Sequence, residues 1–245
     1  MSSNPVRQSC AAPHHCPMEV RMQVLARSPL TRELSPEDHR DFNRHLSAWA
    51  WAEDEPILLA GQEAAGSYLL ASGRARITRD TVDGREITVD IAAPGDIIGP
   101  VHTAPAPVAD SAWAMETTCA LYLPAESLAQ IVDKYPQVAL GIMRLQQEGL
   151  ASSRGSRIAQ STTTVEQRVA GVLQQLERKF GQQRSDGTSL LQVRLRRDDI
   201  AGMAGTTLES ASRTMSRMKK QGVIDSGREW IAVVDPAGLA ELASQ

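Results

Sequence analysis

Between Trp49 and Pro124 no helix has room to run. Ala60-Gly61, Gly66, Ser72-Gly73, Asp83-Gly84, Pro94-Gly95 and Gly99 interrupt this stretch, and the segments between them are short and apolar. Glycine reaches the backbone conformations that tight turns need. Turns at roughly ten-residue spacing between short apolar runs mark an all-β sandwich or barrel. Ala75 to Thr81 and Glu86 to Ile91 flank Val82-Asp83-Gly84-Arg85, which reads as a hairpin with an Asp-Gly turn. Trp113 to Leu123 reads as a last strand.

Helical patterns surround that core. Met18 to Ala26 reads as a short helix, interrupted by Ser28-Pro29. Ser35-Pro36-Glu37-Asp38 has the form of a helix start, with a serine cap, proline in the first position and acids in the first turn. Pro124-Ala125-Glu126 opens a short helix to about Asp133, and Pro136 opens a longer one to about Gln160. Val138, Ile142, Leu145 and Gly149 share one side of the longer helix. That stripe is narrow, of the width that forms a seam against a partner helix. Ser161-Thr162-Thr163-Thr164 links to a helix over Val165–Phe180, with Val169, Val172, Leu173, Leu176 and Phe180 inward. Leu190 to Leu195 then reads as a strand.

Asp198–Ala204, the turn at Gly205 and Gly205–Gln221 form a helix-turn-helix pattern. Thr206 or Thr207 is placed to cap the second helix, and Thr206 with Glu209 fits the S/T-x-x-E capping box. Leu208, Ala211, Met215 and Met218 are the expected inward stripe. Glu209, Ser212, Arg213 and Ser216 fall on the opposite face. Arginine bonds the O6/N7 edge of guanine, glutamate accepts from cytosine N4, and serine bonds either. The bland reading of Glu209 and Arg213 is an ordinary i,i+4 ion pair on a surface helix. After Gly222, Val223–Asp225 and Glu229–Val234 read as a two-stranded wing around Ser226-Gly227-Arg228, followed by a helix over Pro236–Ala243.

At 245 residues the chain suits one large or two modest domains. The net charge is −3, but basic residues slightly outnumber acids after Thr163 while the preceding part is acidic. A basic module on an acidic carrier suits local contact with DNA phosphates. No apolar run approaches the roughly 20 residues of a membrane span, and the first thirty residues carry no hydrophobic signal core. A cytoplasmic protein is expected. Three cysteines, Cys10, Cys16 and Cys119, argue against a disulfide framework.

The order of arm, β-roll, long helix and winged helix-turn-helix resembles the Crp–Fnr family of bacterial transcription regulators. Glu55 to Gly99 resembles that family's roll, with turn glycines at Gly61, Gly73, Gly84, Gly95 and Gly99. Ala114-Met115-Glu116-Thr117 and Leu123-Pro124 resemble the end of the roll. The E-x-x-S-R pattern of Glu209, Ser212 and Arg213 resembles the Fnr branch, which reads TTGA-type half-sites. The resemblance implies an α+β fold: a Cys/His arm (1–27), a β-roll (double-stranded β-helix or jelly-roll) sensor domain (28–133), a dimerisation helix and hinge (134–161) and a winged helix-turn-helix (162–245).

It also implies a homodimer on a palindromic operator in double-stranded DNA, with RNA polymerase as a further partner and no membrane association. Glu209, Ser212 and Arg213 are then the base readers. Arg196, Arg197, Thr206, Thr207, Ser216 and Lys220 are the candidate phosphate contacts, which position without specifying. Val138, Ile142, Leu145 and Gly149 are the expected dimer seam.

The family's cyclic-nucleotide branch carries an Arg-Ser pair that cradles the phosphate. The equivalent stretch here, Gly99-Pro100-Val101-His102-Thr103-Ala104-Pro105-Ala106-Pro107, has no arginine. A buried cyclic phosphate would lack its charge partner, so cAMP is not the expected effector. Fnr-type oxygen sensors hold a [4Fe–4S] cluster on three N-terminal cysteines and one near the end of the roll. Here the arm has only Cys10 and Cys16, and Cys119 lies two residues before the expected position. Positions i and i+2 of a strand face the same way, so Cys119 is expected to share a side with Leu121. Three thiolates with His14, His15 or a carboxylate as the fourth ligand would suit an iron–sulfur cluster. Zinc, haem, thiol redox chemistry and no cofactor are the alternatives. An enzyme built on the roll is the rival of a different class. His39, His45 and His102 do not converge in the sequence pattern, and no nucleophile–base pair or phosphate-binding glycine loop is present, so no catalysis is expected.

Overall fold

The structure, a computed structural model, describes residues 12–13, 15–227 and 229–244. The chain forms two compact units. One comprises the chain up to Asp80 together with Asp90–Leu150, and the other Thr81–Val89 with Ala151–Gln245.

The first unit is the β-roll. It opens with β1 (Ala12–Pro13), α1 (Met18–Arg27) and α2 (Pro36–Phe42), followed by a turn of 3-10 helix over Asn43–His45. Then come β2 (Ser47–Trp51), β3 (Pro56–Leu58), β4 (Glu63–Ala64), β5 (Gly66–Ser72), β6 (Ala75–Asp80) and β7 (Glu86–Ala92). β8 (Ile97–Ile98), β9 (Ala106–Pro107), β10 (Ser111–Ala114) and β11 (Thr118–Pro124) complete the strands. α3 (Ala125–Lys134) and α4 (Pro136–Thr162) follow. One sheet has the order β1-β2-β11-β5-β8, the second β3-β10-β6-β7, and β4 pairs with β9.

Strand alternation sends side chains to the two faces of the five-stranded sheet. Leu70 of β5 and Ala120 of β11 join Trp51, Ile57, Ala75, Ala92, Ile98, Ala112 and Ala114 in one apolar cluster. Leu69, Ala71, Cys119, Leu121 and Leu123 belong to the other, with Leu25 of α1, Phe42 of α2, Leu128 and Ile131 of α3, and Val138 of α4. Cys119 and Leu121 thus share a side, as the period of two requires.

Three features of this part of the chain differ from the sequence expectation. Residues 18–27 are not a separate arm: Val24 and Leu25 of α1 lie in the roll's core. Arg21 fixes the helix further by donating to Asn43 Oδ1 at 2.5 Å and to the Leu46 carbonyl at 2.8 Å. The run Trp113–Leu123 is two strands, because the chain passes from one sheet to the other between them. Thr118 stabilises that crossing, its hydroxyl bonding the carbonyls of Glu116 (2.8 Å) and Arg74 (3.1 Å). The α2 start is as read: Ser35 Oγ accepts from the Asp38 amide at 3.1 Å with Pro36 in the first position.

The third difference concerns the expected dimer seam. Val138 is fully buried in the chain's own core, and Ile142 packs against that core. Gly141 is buried on the same side, where a Cβ would meet the Pro29 carbonyl oxygen at 2.6 Å. This face of α4 is used within the protomer. Leu145 is half-buried and Gly149 exposed, while Leu140, Met143, Leu150 and Ile158 are the large apolar side chains of α4 left open.

The second unit contains α5 (Val165–Phe180), β12 (Gly181–Gln183), β13 (Ser189–Leu191), α6 (Arg197–Met203), α7 (Leu208–Lys220), β14 (Ile224–Ser226), β15 (Ile231–Val233) and α8 (Pro236–Ser244). Thr164 caps α5 through a capping box: its hydroxyl accepts from the Gln167 amide (3.2 Å), and Gln167 Oε1 accepts from the Thr164 amide (2.6 Å). Val169, Ala170, Val172, Leu173 and Leu176 form the buried face of α5. The sheet runs β12-β13-β15-β14, with β14 and β15 as the wing. The strand expected over Leu190–Leu195 ends at Leu191, and β12 lies between the expected helix and that strand, where no element was expected.

Candidate nucleic-acid interface

Gly205 sets the geometry between α6 and α7. Its φ is +57, in the left-handed region that favours glycine. Its amide donates to the Gly202 carbonyl (3.1 Å) and the Thr206 amide to that of Ala201 (2.9 Å). This is a Schellman end, which satisfies the last carbonyls of α6 while turning the chain sharply. At the start of α6, the Asp199 carboxylate accepts from the Arg196 amide at 2.7 Å.

Thr207, not Thr206, caps α7: its hydroxyl accepts from the Ser210 amide at 3.2 Å. The box expected from Thr206 and Glu209 does not form, because the helix begins at Leu208 and Glu209 is spent on Arg213. Ala211, Thr214, Met215 and Met218 are buried. Leu208, expected among them, is 50 % exposed.

Glu209 and Arg213 stand largely open to water as an ion pair, with 81 % and 75 % of their side chains exposed. Ser212 is half-buried. Ser216 donates to the Ser212 carbonyl at 2.7 Å. Arg196 and Lys220 are exposed cations, whereas Arg197 is half-buried. Its Nη2 lies 3.4 Å from Ser226 Oγ, and burial lowers its pKa. Arg197 is therefore less available to a phosphate than the sequence suggested. Two further cations serve the scaffold: Arg217 pairs with Glu166 of α5 at 3.0 Å, and Lys219 with Asp225 of β14 at 2.6 Å. Their spacing in sequence gave no sign of these pairings, because the partners lie on other elements. Arg228 falls outside the described residues.

Cys16 and Cys119 come together in the first unit. Cys119 sits opposite Ala50 of β2, and Ala50 pairs on its other side with Ala12 of β1. The chain from β1 then carries Cys16 into the same buried cluster as Cys119, and both thiols are free. Burial first, and then the adjoining Cys16 thiol, hold the Cys119 pKa well above the ordinary thiol value, with Arg21 acting weakly in the other direction. Two inward thiols are soft donors of the kind iron–sulfur clusters take. Among the described residues, however, no three His, Cys, Asp or Glu side chains gather into a metal site. The described donors alone do not fit a cluster. His15 is exposed, and Cys10 and His14 lie outside the described residues.

Two family models match this chain: a cyclic nucleotide-binding domain over residues 49–135, and a Crp-like helix-turn-helix domain over residues 167–242. The chain belongs to the Crp–Fnr family. Like its relatives, this Crp–Fnr protein is a DNA-binding transcription regulator and not an enzyme. It is 27 % identical to the fumarate nitrate reduction regulatory protein of Klebsiella oxytoca, over 78 % of this chain and 76 % of that one. It is 28 % identical to the cyclic AMP receptor protein of Thermus thermophilus, over 88 % and 97 %. In fold it is similar to FixK2 from Bradyrhizobium japonicum, with a TM-score of 0.71 and 24 % identity over 80 % of this chain and 96 % of FixK2. Among the described residues, no helix of the Crp–Fnr chain is long and apolar enough to cross a membrane.

Proposed function

We propose that this Crp–Fnr protein acts as a homodimer that reads TTGA-like palindromic half-sites through Glu209, Ser212 and Arg213. The observation that carries this reading is α7 itself. Its apolar face is buried, its start is capped, and its outer face offers a carboxylate, a hydroxyl and a guanidinium in the first two turns. Arg213 and Glu209 read the two bases of one G·C pair, and Ser212 makes a neighbouring contact. Arg196, Thr206, Thr207, Ser216 and Lys220 contact phosphates, and Arg197 chiefly supports the wing. The exposed Leu140, Met143 and Leu150 of α4 supply the dimer contact in place of Val138. The β6–β7 hairpin, whose Val82 is exposed, is the surface this reading assigns to RNA polymerase.

A dimer with one reading helix per protomer fixes the half-site spacing at one helical turn, about 34 Å. Inserting about five base pairs between half-sites turns one of them to the far side of the duplex. Affinity should then fall to that of a single half-site. Undiminished binding would rule out the two-helix reading.

The Cys16–Cys119 pair favours a second statement, about sensing: regulation by redox state, oxygen or nitric oxide through an iron–sulfur cluster. Such a group would supply sensitivity to oxidants. Two of its ligands would be the described thiols, with Cys10 and His14 or His15 completing the set. The absence of an arginine in Gly99–Pro107 supports an effector other than cAMP. Protein purified without oxygen should contain iron and sulfide and lose both in Cys119→Ala. Zinc or haem found in their place would replace this reading with one of those groups. A metal-free chain that still binds its operator would end it.

A further inference from the structure

The Ala204 carbonyl lies where α6 gives way to the turn, directly before Gly205. The neighbouring carbonyls are taken by the backbone. Ile200 accepts from the Ala204 amide, Ala201 from that of Thr206 and Gly202 from that of Gly205. Ala204 receives a side chain from another element: Arg168 Nε donates to it at 2.9 Å. The same guanidinium donates through Nη1 to the Thr163 carbonyl at 2.6 Å. Arg168 is half-buried near the start of α5.

Thr163 lies at the junction of α4 and α5 and is itself held. Its amide and its hydroxyl both donate to the Ala159 carbonyl, at 3.0 and 2.7 Å. The capping box at Thr164 fixes the next peptide. One guanidinium therefore ties a fixed junction to the turn that precedes α7. Beside this bridge is a cleft of about 260 Å³, lined in part by Ala159, Thr163, Arg168, Met203 and Ala204. Close packing does not hold the turn on that side, so the hydrogen bonds do. Bonds from a planar guanidinium are charge-assisted and directional. The other tie, Arg217 of α7 to Glu166 of α5, stands more open to solvent and holds less. α7 begins at Leu208, so a displaced turn carries Glu209, Ser212 and Arg213 with it.

We propose that Arg168 is a positioning residue for DNA recognition. It fixes the turn of the helix-turn-helix against the end of α4, and so sets the separation at which two copies of α7 meet their half-sites. This rests on α7 being the base-reading helix of a homodimer. Arg168 acts through the two carbonyls and needs no contact with DNA.

Half-site spacing is the readout that a merely structural role would not move. The probes are inverted TTGA repeats at the preferred spacing, and with one base pair added or removed between half-sites. One base pair moves a half-site by about 3.4 Å and turns it by about 35°. Binding is measured for the wild type, Arg168→Ala and Arg168→Lys. The wild type should prefer one spacing sharply. Arg168→Ala should reduce that preference about tenfold, as expected for a lost charge-assisted bond. Arg168→Lys keeps the charge but replaces the fork with a point donor, and it should lose most of the preference as well. Both should keep the wild-type penalty for a changed G·C pair, because the base readers remain. Water in the cleft can take up the two carbonyls, so both variants should fold, as melting checks. Unchanged spacing preference in Arg168→Ala, or equal weakening at every spacing, would overturn the proposal. So would an Arg168→Lys variant that behaves as wild type, since charge and not the bridge would then be what counts. A wild type that does not prefer the repeat over a scrambled duplex ends base reading by α7, and a wild type indifferent to spacing ends the two-helix dimer; neither result depends on Arg168.

Discussion

Arg213 and Glu209 hold each other while remaining open to solvent, and this bears on what their removal does. An exposed i,i+4 pair contributes little to folding, so either side chain is free to exchange its partner for a base edge at small cost. The sequence displayed this pair, since both members lie on one helix. It did not display the inward face of α7 correctly. Leu208 has the spacing of the buried stripe but lies in the first turn, beyond the edge of what α7 packs on. Periodicity locates a face and not where that face runs out. Tyr68 supplies a test of the roll at this scale. It meets Trp51 edge-on at 5.2 Å and Tyr122 at 5.1 Å. Burial, and secondarily Tyr122, push its pKa up to about 12. In an unfolded chain it titrates near 10. The folded state therefore keeps a proton that the unfolded state releases, so its contribution is full below about pH 10 and lost as pH rises towards 12. Tyr68→Phe should flatten the fall of melting temperature across that window. An unchanged alkaline limb would show that other groups set it.

The elements were legible where local chemistry decided them. The caps at Ser35 and Thr164 and the span of α5 follow from residues next to one another in sequence. The break in Trp113–Leu123 was not legible, because it depends on which sheet each half joins. β12 was missed because Gly181-Gln182-Gln183 has no apolar alternation, and its strand character comes from pairing with β13. α4 shows the same limit in a helix. Its apolar residues cover more than one face, and sequence spacing favoured Val138 and Ile142. The approach of Gly141 to Pro29 shows that this side faces the roll. Leu140 and Met143, 51 % and 58 % exposed, are left open, and the proposed dimer contact uses them. Met143→Glu should turn a dimer into a monomer in sedimentation while leaving the melting of the roll nearly unchanged. Val138→Ala should instead destabilise the fold, by about 2 kcal/mol for a buried aliphatic truncation. A dimer that survives Met143→Glu would move the seam elsewhere.

At the scale of the whole molecule the chain joins a roll, in which Cys16 and Cys119 converge, to a winged helix-turn-helix that presents α7. The helix-turn-helix was largely legible, since its two helices and their turn follow from residues close together in sequence. The meeting of Cys16 with Cys119 was less so, because a pair assembled from distant segments is fixed by the fold and not by spacing. Sequence reading by α7 is the claim on which the rest stands. Binding isotherms on an inverted TTGA repeat, and on the same duplex with both G·C pairs changed to A·T, test it for the wild type and Arg213→Ala. We expect two chains per duplex and a wild-type penalty of about 1–3 kcal/mol for each changed pair. Arg213→Ala should bind the original repeat more weakly and show little further loss on the changed one. Equal wild-type affinity for the two duplexes, or the same penalty with and without Arg213, would contradict base reading by this helix.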